Sequence, residues 1–314
     1  MFLLLSLTSS LARPIINGNP ESGFPTVVAL GADFNGNTFS ACTGNLITPR
    51  IILTAAHCGG DLPLELVIQF GSAFWGDDVT NADYAIGFED YLIHPDYREL
   101  GSMGPYDTGA YDISLLLLAE DATTPPSLFR SEVIDDTLIG TPLTSVGFGI
   151  TGANQNDGGL KRSANVIMSD VDALFVEINN ADNPDNANIC SGDSGGPTFI
   201  FDEEREQIVQ LAVHSWGDQT CTIQSGSTRT DIVSEWIFDY IEEVHGSRDI
   251  CEINGLYSDG LCTLLPDCLQ EDPECIVEEE EIKSCNQMGT AQALSTWLIL
   301  CSMIGLRRRL HAHT

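Results

Sequence analysis

Three short stretches carry the nucleophilic and acid–base side chains of this chain in settings where they can act. Gly192-Asp193-Ser194-Gly195-Gly196-Pro197 holds a serine between glycines. On a tight turn its hydroxyl stands clear of other side chains, and small neighbours let a substrate carbonyl approach the backbone closely. A serine hydroxyl is a weak nucleophile near neutral pH, so it needs a base to take its proton and a carboxylate to orient that base. Upstream, Thr54-Ala55-Ala56-His57-Cys58 sets a histidine among small residues after an apolar run, and Tyr111-Asp112-Ile113-Ser114-Leu115-Leu116 sets an aspartate at the mouth of another. Asp96 and Asp107 are rival carboxylates, but neither opens an apolar strand, so both are read as loop residues. His94 and His214 read as structural, and His245, His311 and His313 stand in no motif.

Histidine, aspartate and serine in this order and these contexts resemble the trypsin/chymotrypsin-like serine proteases over about residues 15–245. The resemblance implies an all-β fold, two antiparallel β-barrels with the active site in the cleft between them and a closing C-terminal helix. It assigns His57 as general base then acid, Asp112 as the group that holds its tautomer, and Ser194 as the residue acylated. The backbone N–H groups of Gly192 and Ser194 would form the oxyanion hole. Ser215-Trp216-Gly217 resembles the segment that pairs with an extended peptide, which points to a polypeptide substrate and an endopeptidase. Cys42 with Cys58, and Cys190 with Cys221, are disulfides by the same resemblance. Val146-Gly147-Phe148-Gly149 stands where the family shows Gly-Trp-Gly, with phenylalanine in place of tryptophan.

Two departures bear on activity. Asn188, six positions before the serine, stands where trypsin-like pockets carry an aspartate for Arg or Lys, and a neutral amide cannot form that ion pair. With Gly217 leaving one pocket wall open and Ser225 or Gly226 forming another, a neutral P1 residue is expected. Asp218 is a source of charge from an unexpected direction. Ile15-Ile16-Asn17-Gly18 resembles the family's mature N-terminus, whose freed amino group pairs with the aspartate before the serine, here Asp193. The family has Arg or Lys directly before this isoleucine, whereas Arg13 is followed by Pro14. The expected route is cleavage after Ala12 by signal peptidase, then removal of Arg13-Pro14 by an Xaa-Pro dipeptidyl peptidase as activating peptidase.

The elements that must position these groups read as short apolar segments, Val27–Leu30, Leu46–Thr54, Leu66–Phe70 and Ile113–Leu118, broken by Gly, Asn and Asp clusters, which is a β-barrel rhythm. Thr124-Pro125-Pro126 marks the crossover to a second run of strands ending with Ile208–Trp216. Ile232, Val233, Trp236, Ile237, Tyr240, Ile241 and Val244 then recur at helical spacing before Gly246.

The 314 residues have room for one large domain or two, and 13 Lys+Arg against 46 Asp+Glu give a net charge of −33. Such a surplus argues against nucleic acid or an anionic membrane as partner. Ten cysteines without paired metal knuckles suit an oxidising compartment. Residues 1–12 read as a signal peptide, 13–14 as a short propeptide and 15–246 as the protease domain, with 249–276 a small Cys- and Asp-rich module. Its Cys251, Cys262, Cys268 and Cys275 allow three pairings. Asp259, Asp267, Asp272 and Glu274 match no calcium-loop spacing and read as a solvated acidic face, so no metal or organic cofactor is called for. An acidic linker covers 277–290. Residues 291–314, an apolar run ending in Arg307-Arg308-Arg309, resemble a bacterial C-terminal sorting signal or a short membrane anchor. The expected product is a secreted or surface-anchored serine endopeptidase. The rival reading is a catalytically inactive, protease-like surface binding protein.

Overall fold

The computed structural model describes residues 15–59, 63–101, 109–183, 186–202, 207–260, 268–270 and 272–273. The expectations for the signal peptide, the propeptide, the acidic linker, the C-terminal segment, Asp107, Cys262 and Cys275 fall outside these residues. Among the described residues no helix is long and apolar enough to cross a membrane.

After a two-residue strand β1 (Asn19–Pro20), the first half builds a closed barrel. Its strands are β2 (Val27–Phe34), β3 (Asn37–Leu46), β4 (Ile51–Thr54), β5 (Gly71–Trp75), β6 (Tyr84–Ile93) and β7 (Ser114–Leu118), arranged β2-β3-β4-β7-β6-β5. The β2–β3 hairpin turns on Asn35-Gly36, with φ of 57° and 85°, the left-handed pair that a tight two-residue hairpin needs. Val28, Leu30, Leu46, Ile52, Trp75, Ile86, Leu116 and Leu118 fill the barrel. Each contributes roughly 1.5–3 kcal/mol through burial.

One segment departs from the strand reading. Leu66–Phe70 belongs to a helix, α1 (Leu64–Phe70). Pro63 caps it with φ −53°, its carbonyl accepts from the amides of Leu66 and Val67 at 2.8 and 3.3 Å, and Glu65 sits in the first turn where the helix dipole favours an anion. Val67 and Ile68 pack on the barrel core. A five-residue segment with four apolar positions has no period that separates strand from helix, so the punctuation before it decides.

The second half consists of β8 (Leu128–Phe129), β9 (Pro142–Gly147), β10 (Arg162–Ile167), β11 (Asp170–Val171), β12 (Phe175–Asn179), β13 (Pro197–Asp202), β14 (Gln207–Gly217) and β15 (Gln224–Arg229). With β1 they form a nine-stranded sheet in the order β1-β10-β9-β13-β14-β15-β12-β11, antiparallel except that β8 joins β14 in parallel. The strands therefore do not end at Trp216. β15 follows, and it escapes a hydrophobic reading because Ser225, Ser227 and Thr228 are the residues it buries.

The halves meet where Val27, Ala29, Phe74 and Val79 pack against Val146, Phe148 and Phe199. Asn45 Nδ2 donates across this seam to Ser127 Oγ at 2.6 Å and Gln210 Oε1 at 2.8 Å. Helix α2 (Ser234–His245) buries Ile237, Phe238, Tyr240 and Ile241, and Gly246 ends it at φ 72°.

By its contacts the chain divides into two compact units, 1–255 with 265–269 and 256–264 with 270–314. In the first, a short helix α3 (Ile250–Ile253) is capped by Asp249, and Cys251 is bonded to Cys268, one of the partners the spacing allowed. In the second, Gln270 N donates to the Tyr257 hydroxyl at 3.0 Å.

Candidate active site

His57 lies on a 3₁₀ turn, Ala56–Gly59, that follows β4 directly, and the Cys42–Cys58 disulfide ties that turn to β3. The buried Tyr91 hydroxyl accepts from Gly59 N at 2.9 Å and reaches the carbonyls of Ala55 and Ala56 at 3.1 and 2.9 Å, so the turn is held from below. Burial pushes the Tyr91 phenol up to about 12, and it stays neutral.

Asp112 comes just before β7, after Tyr111 at φ 47°, a left-handed conformation that an aromatic residue keeps only when its surroundings enforce it. The Tyr111 ring stacks on His94 at 4.8 Å, and His94 meets the edge of Trp236 in α2 at 4.8 Å. Asp112 is 5 % exposed. Its Oδ1 accepts from His57 N at 2.9 Å, and its Oδ2 faces His57 Nδ1 at 2.7 Å while accepting from Ser215 Oγ at 2.7 Å. Thr228 Oγ1 donates to its carbonyl at 3.1 Å. An ionised carboxylate only accepts, so this network assigns the neutral imidazole proton to Nδ1 and leaves the lone pair on Nε2.

Ser194 comes from the other half, on a turn whose glycines are required. Gly192 and Gly195 have φ of 92° and 80°, and a Cβ on Gly195 would lie 2.0 Å from Thr54 Oγ1. Thr43 of β3 locks this turn to the first barrel. Its amide donates to Ser194 O at 2.8 Å, its hydroxyl donates to Gly192 O at 2.9 Å, and that hydroxyl accepts from Phe148 N at 3.0 Å. Asp193, Gly195 and Gly196 donate their amides to the carbonyls of Cys190, His214 and Asp193. The amides of Gly192 and Ser194 meet no acceptor among the described residues. The Ser194 hydroxyl is not hydrogen-bonded to His57 here, as is common before a substrate tightens such a site.

The Asp193 carboxylate is fully buried, accepting from Gly149 N and Cys190 N at 2.8 Å each. Burial pushes it up to about 7, against these hydrogen bonds and the charge of Arg162. It lies across Gly147 and Gly149, where a Cβ would approach it to 2.2 and 2.6 Å, which explains the glycines on either side of Phe148. Ile15 is buried, and Ile16 bridges to Asn188 and packs on the Cys190–Cys221 disulfide.

A cleft of about 110 Å³ opens beside Ser194, lined by Ile189, Cys190, Ser191, Ser215, Trp216, Gly217, Asp218 and Cys221. Asn188, expected to contact substrate, is fully buried and is not among the lining residues. Ser225 and Gly226, expected as a wall, are not among the lining residues, because the Trp216 ring occupies the space beside Gly226. Cys42, His57 and Cys58 cluster closely enough to suggest metal ligands, but both sulfurs are bound to each other and offer no thiolate.

Sequence reasoning missed Thr43, Tyr91 and the link from Ser215 to Asp112. A threonine or tyrosine inside a strand carries no sign of what its hydroxyl will meet. Only the neighbourhood of Cys42 pointed toward Thr43.

The Trypsin family model matches residues 15–237. A CLIP domain-containing serine protease, B10, of Anopheles gambiae is 29 % identical over 262 residues, covering 73 % of this chain and 70 % of its own length. Venom serine protease 34 of Apis mellifera is 26 % identical over 208 residues, 62 % of this chain and 51 % of that protein. The alkaline C trypsin of Manduca sexta is 40 % identical over 111 residues, 31 % of this chain and 41 % of that enzyme. With a matching family model over most of its length and the site geometry above, the chain belongs to the trypsin family of serine endopeptidases.

Proposed function

We propose that this chain hydrolyses polypeptides through an acyl-enzyme on Ser194. His57 Nε2 takes the Ser194 proton as Oγ attacks the scissile carbonyl, and the oxyanion that forms accepts from the amides of Gly192 and Ser194. Asp112 keeps the imidazole proton on Nδ1 and steadies the imidazolium. That imidazolium gives its proton to the leaving amine. Water, deprotonated by the same nitrogen, then attacks the acyl group and returns Ser194 with its proton. The carrying observation is the 2.7 Å contact of Asp112 Oδ2 with His57 Nδ1, beside a turn that holds two amides free. Each such donor contributes roughly 3 to 4 kcal/mol to lowering a barrier of this kind.

Activation proceeds by freeing Ile15, whose ammonium would pair with the buried Asp193 carboxylate. Export is supported by the N-terminal apolar run and the disulfides, and a neutral P1 residue by Asn188. The test is a fluorophosphonate probe on the protein whose mature N-terminus has been read by sequencing. Labelling and peptide cleavage that vanish together in Ser194→Ala are expected. A protein that starts at Ile15 and stays unlabelled overturns the reading, and a mature start at Arg13 overturns the activation route.

A further inference from the structure

We propose that Tyr91 and Ser114 are positioning residues for the reaction: their hydroxyls fix the turn that carries His57 against the entry to β7, where Asp112 stands, and so align the imidazole with its carboxylate. The inference rests on the acyl-enzyme reading above and adds two residues to it.

The turn and the carboxylate come from different segments of the first barrel. Both Asp112 oxygens face His57, Oδ1 its amide and Oδ2 its Nδ1, so a slip of the turn along β7 spoils both contacts at once. Two hydroxyls stand against such a slip. Ser114, two residues past Asp112 and paired with Thr54 at the start of β7, donates from Oγ to Ala55 O at 2.9 Å. Tyr91, from β6, has Gly59 N, Ala56 O and Ala55 O around its hydroxyl, and Ser114 Oγ lies 3.1 Å from it. A phenol has one proton to give. Every proton finds its own acceptor when that of Tyr91 goes to Ala56 O, that of Ser114 goes to Ala55 O, and the Gly59 amide gives to the phenol oxygen. The carbonyl before His57 and the amide two residues after it are thus held by one atom rooted in β6.

Packing alone does not supply this hold. On one side the Tyr91 ring borders an apolar cavity of about 320 Å³, lined also by Cys42, Cys58, Phe88 and Leu116, so few atoms there stop the ring from shifting. On another side it lies against Gly59, where a Cβ would come within 2.5 Å of Tyr91 Cε1. Gly59 is not one of the glycines with a positive φ, so its backbone makes no demand for glycine; the ring does. Turn, glycine and phenol form one fitted set, in which the hydroxyl fixes the position that the ring alone leaves loose.

The test uses the mature protein with Tyr91→Phe, Gly59→Ala and Ser114→Ala. The control is Tyr84→Phe, which removes a phenol of the same barrel from its contact with Thr124 Oγ1 at 2.8 Å. Active sites are counted by fluorophosphonate labelling carried to completion, and kcat is expressed per labelled site, so that loss of folded protein does not register. Tyr91→Phe and Gly59→Ala are expected to lower kcat by roughly ten- to a hundred-fold, the scale of an ångström-sized misplacement, and Ser114→Ala by at least about threefold. KM stays within about twofold, since no substrate contact is touched. The downfield proton resonance of His57 Nδ1 moves upfield in the same three variants, a signal that simple loss of stability leaves in place. Tyr84→Phe keeps the parent's kcat and resonance. A parent-like kcat or an unmoved resonance in Tyr91→Phe overturns the proposal alone, and if that variant does not fold, the same result in Ser114→Ala overturns it. A parent that takes no fluorophosphonate overturns the acyl-enzyme reading with it.

Discussion

Single side chains here are held by partners that sequence proximity does not reveal. Asp112 takes three donors, from His57 N, His57 Nδ1 and Ser215 Oγ, so replacing it by asparagine keeps the shape but turns one oxygen into a donor and inverts the tautomer. Asp112→Asn is expected to fold and to lose about 10⁴-fold in kcat, the scale known for that exchange in another member of this family, measured on any substrate the parent cuts. His214 gives a pH dependence. It is fully buried, with Nδ1 on Asp193 O at 3.0 Å, and burial lowers its pKa from the ordinary 6.5 to about 4. A group with its folded pKa depressed leaves stability complete above pH 6.5 and removes it as the pH falls through 4. The loss is up to about 3 kcal/mol at 1.36 kcal/mol per unit. Urea midpoints compared at pH 7.5 and 4.5 check this: the parent weakens toward acid, and His214→Val weakens much less.

At the scale of elements, the N-terminal segment and the nucleophile turn are two parts of one device. Asp193 is raised to about 7 by burial, so in the uncleaved chain its contribution is complete below the unfolded value near 3.8 and is lost as the pH rises through 7. An ammonium from Ile15 reverses that sign by favouring the charged form. The processed protein is therefore expected to melt higher than the unprocessed chain at pH 8 and nearly level with it at pH 5, read by calorimetry on both forms. Much of this arrangement was legible in advance. The barrel strands announced themselves through buried apolar runs, and α2 through its spacing and the glycine after it. The Gly-Asp-Ser-Gly-Gly turn was legible because each of its glycines answers a backbone need. α1 was hidden because so short an apolar segment suits either period, and β15 because it buries serine and threonine. The buried amide NH₂ of Asn188 and indole N–H of Trp216, without an acceptor among the described residues, were hidden for another reason: whether a polar atom is satisfied is a property of three-dimensional neighbours alone.

At the scale of the molecule, the machinery is divided between the two halves. His57 and Asp112 rise from the closed barrel, Ser194 and its turn from the nine-stranded sheet, and Thr43 is the bolt between them. Around that bolt lie an apolar seam through Phe74, Phe148 and Phe199 and the buried polar contact of Asn45 with Gln210. This division has a consequence for the cell that makes the protein. A chain synthesised only as far as the first barrel carries the base and the carboxylate but neither the nucleophile nor the Ser215 and Thr228 that hold Asp112, so it cannot cut its neighbours until the second half has been made and docked. Assembly itself is the first safety catch, set before any peptidase touches the N-terminus.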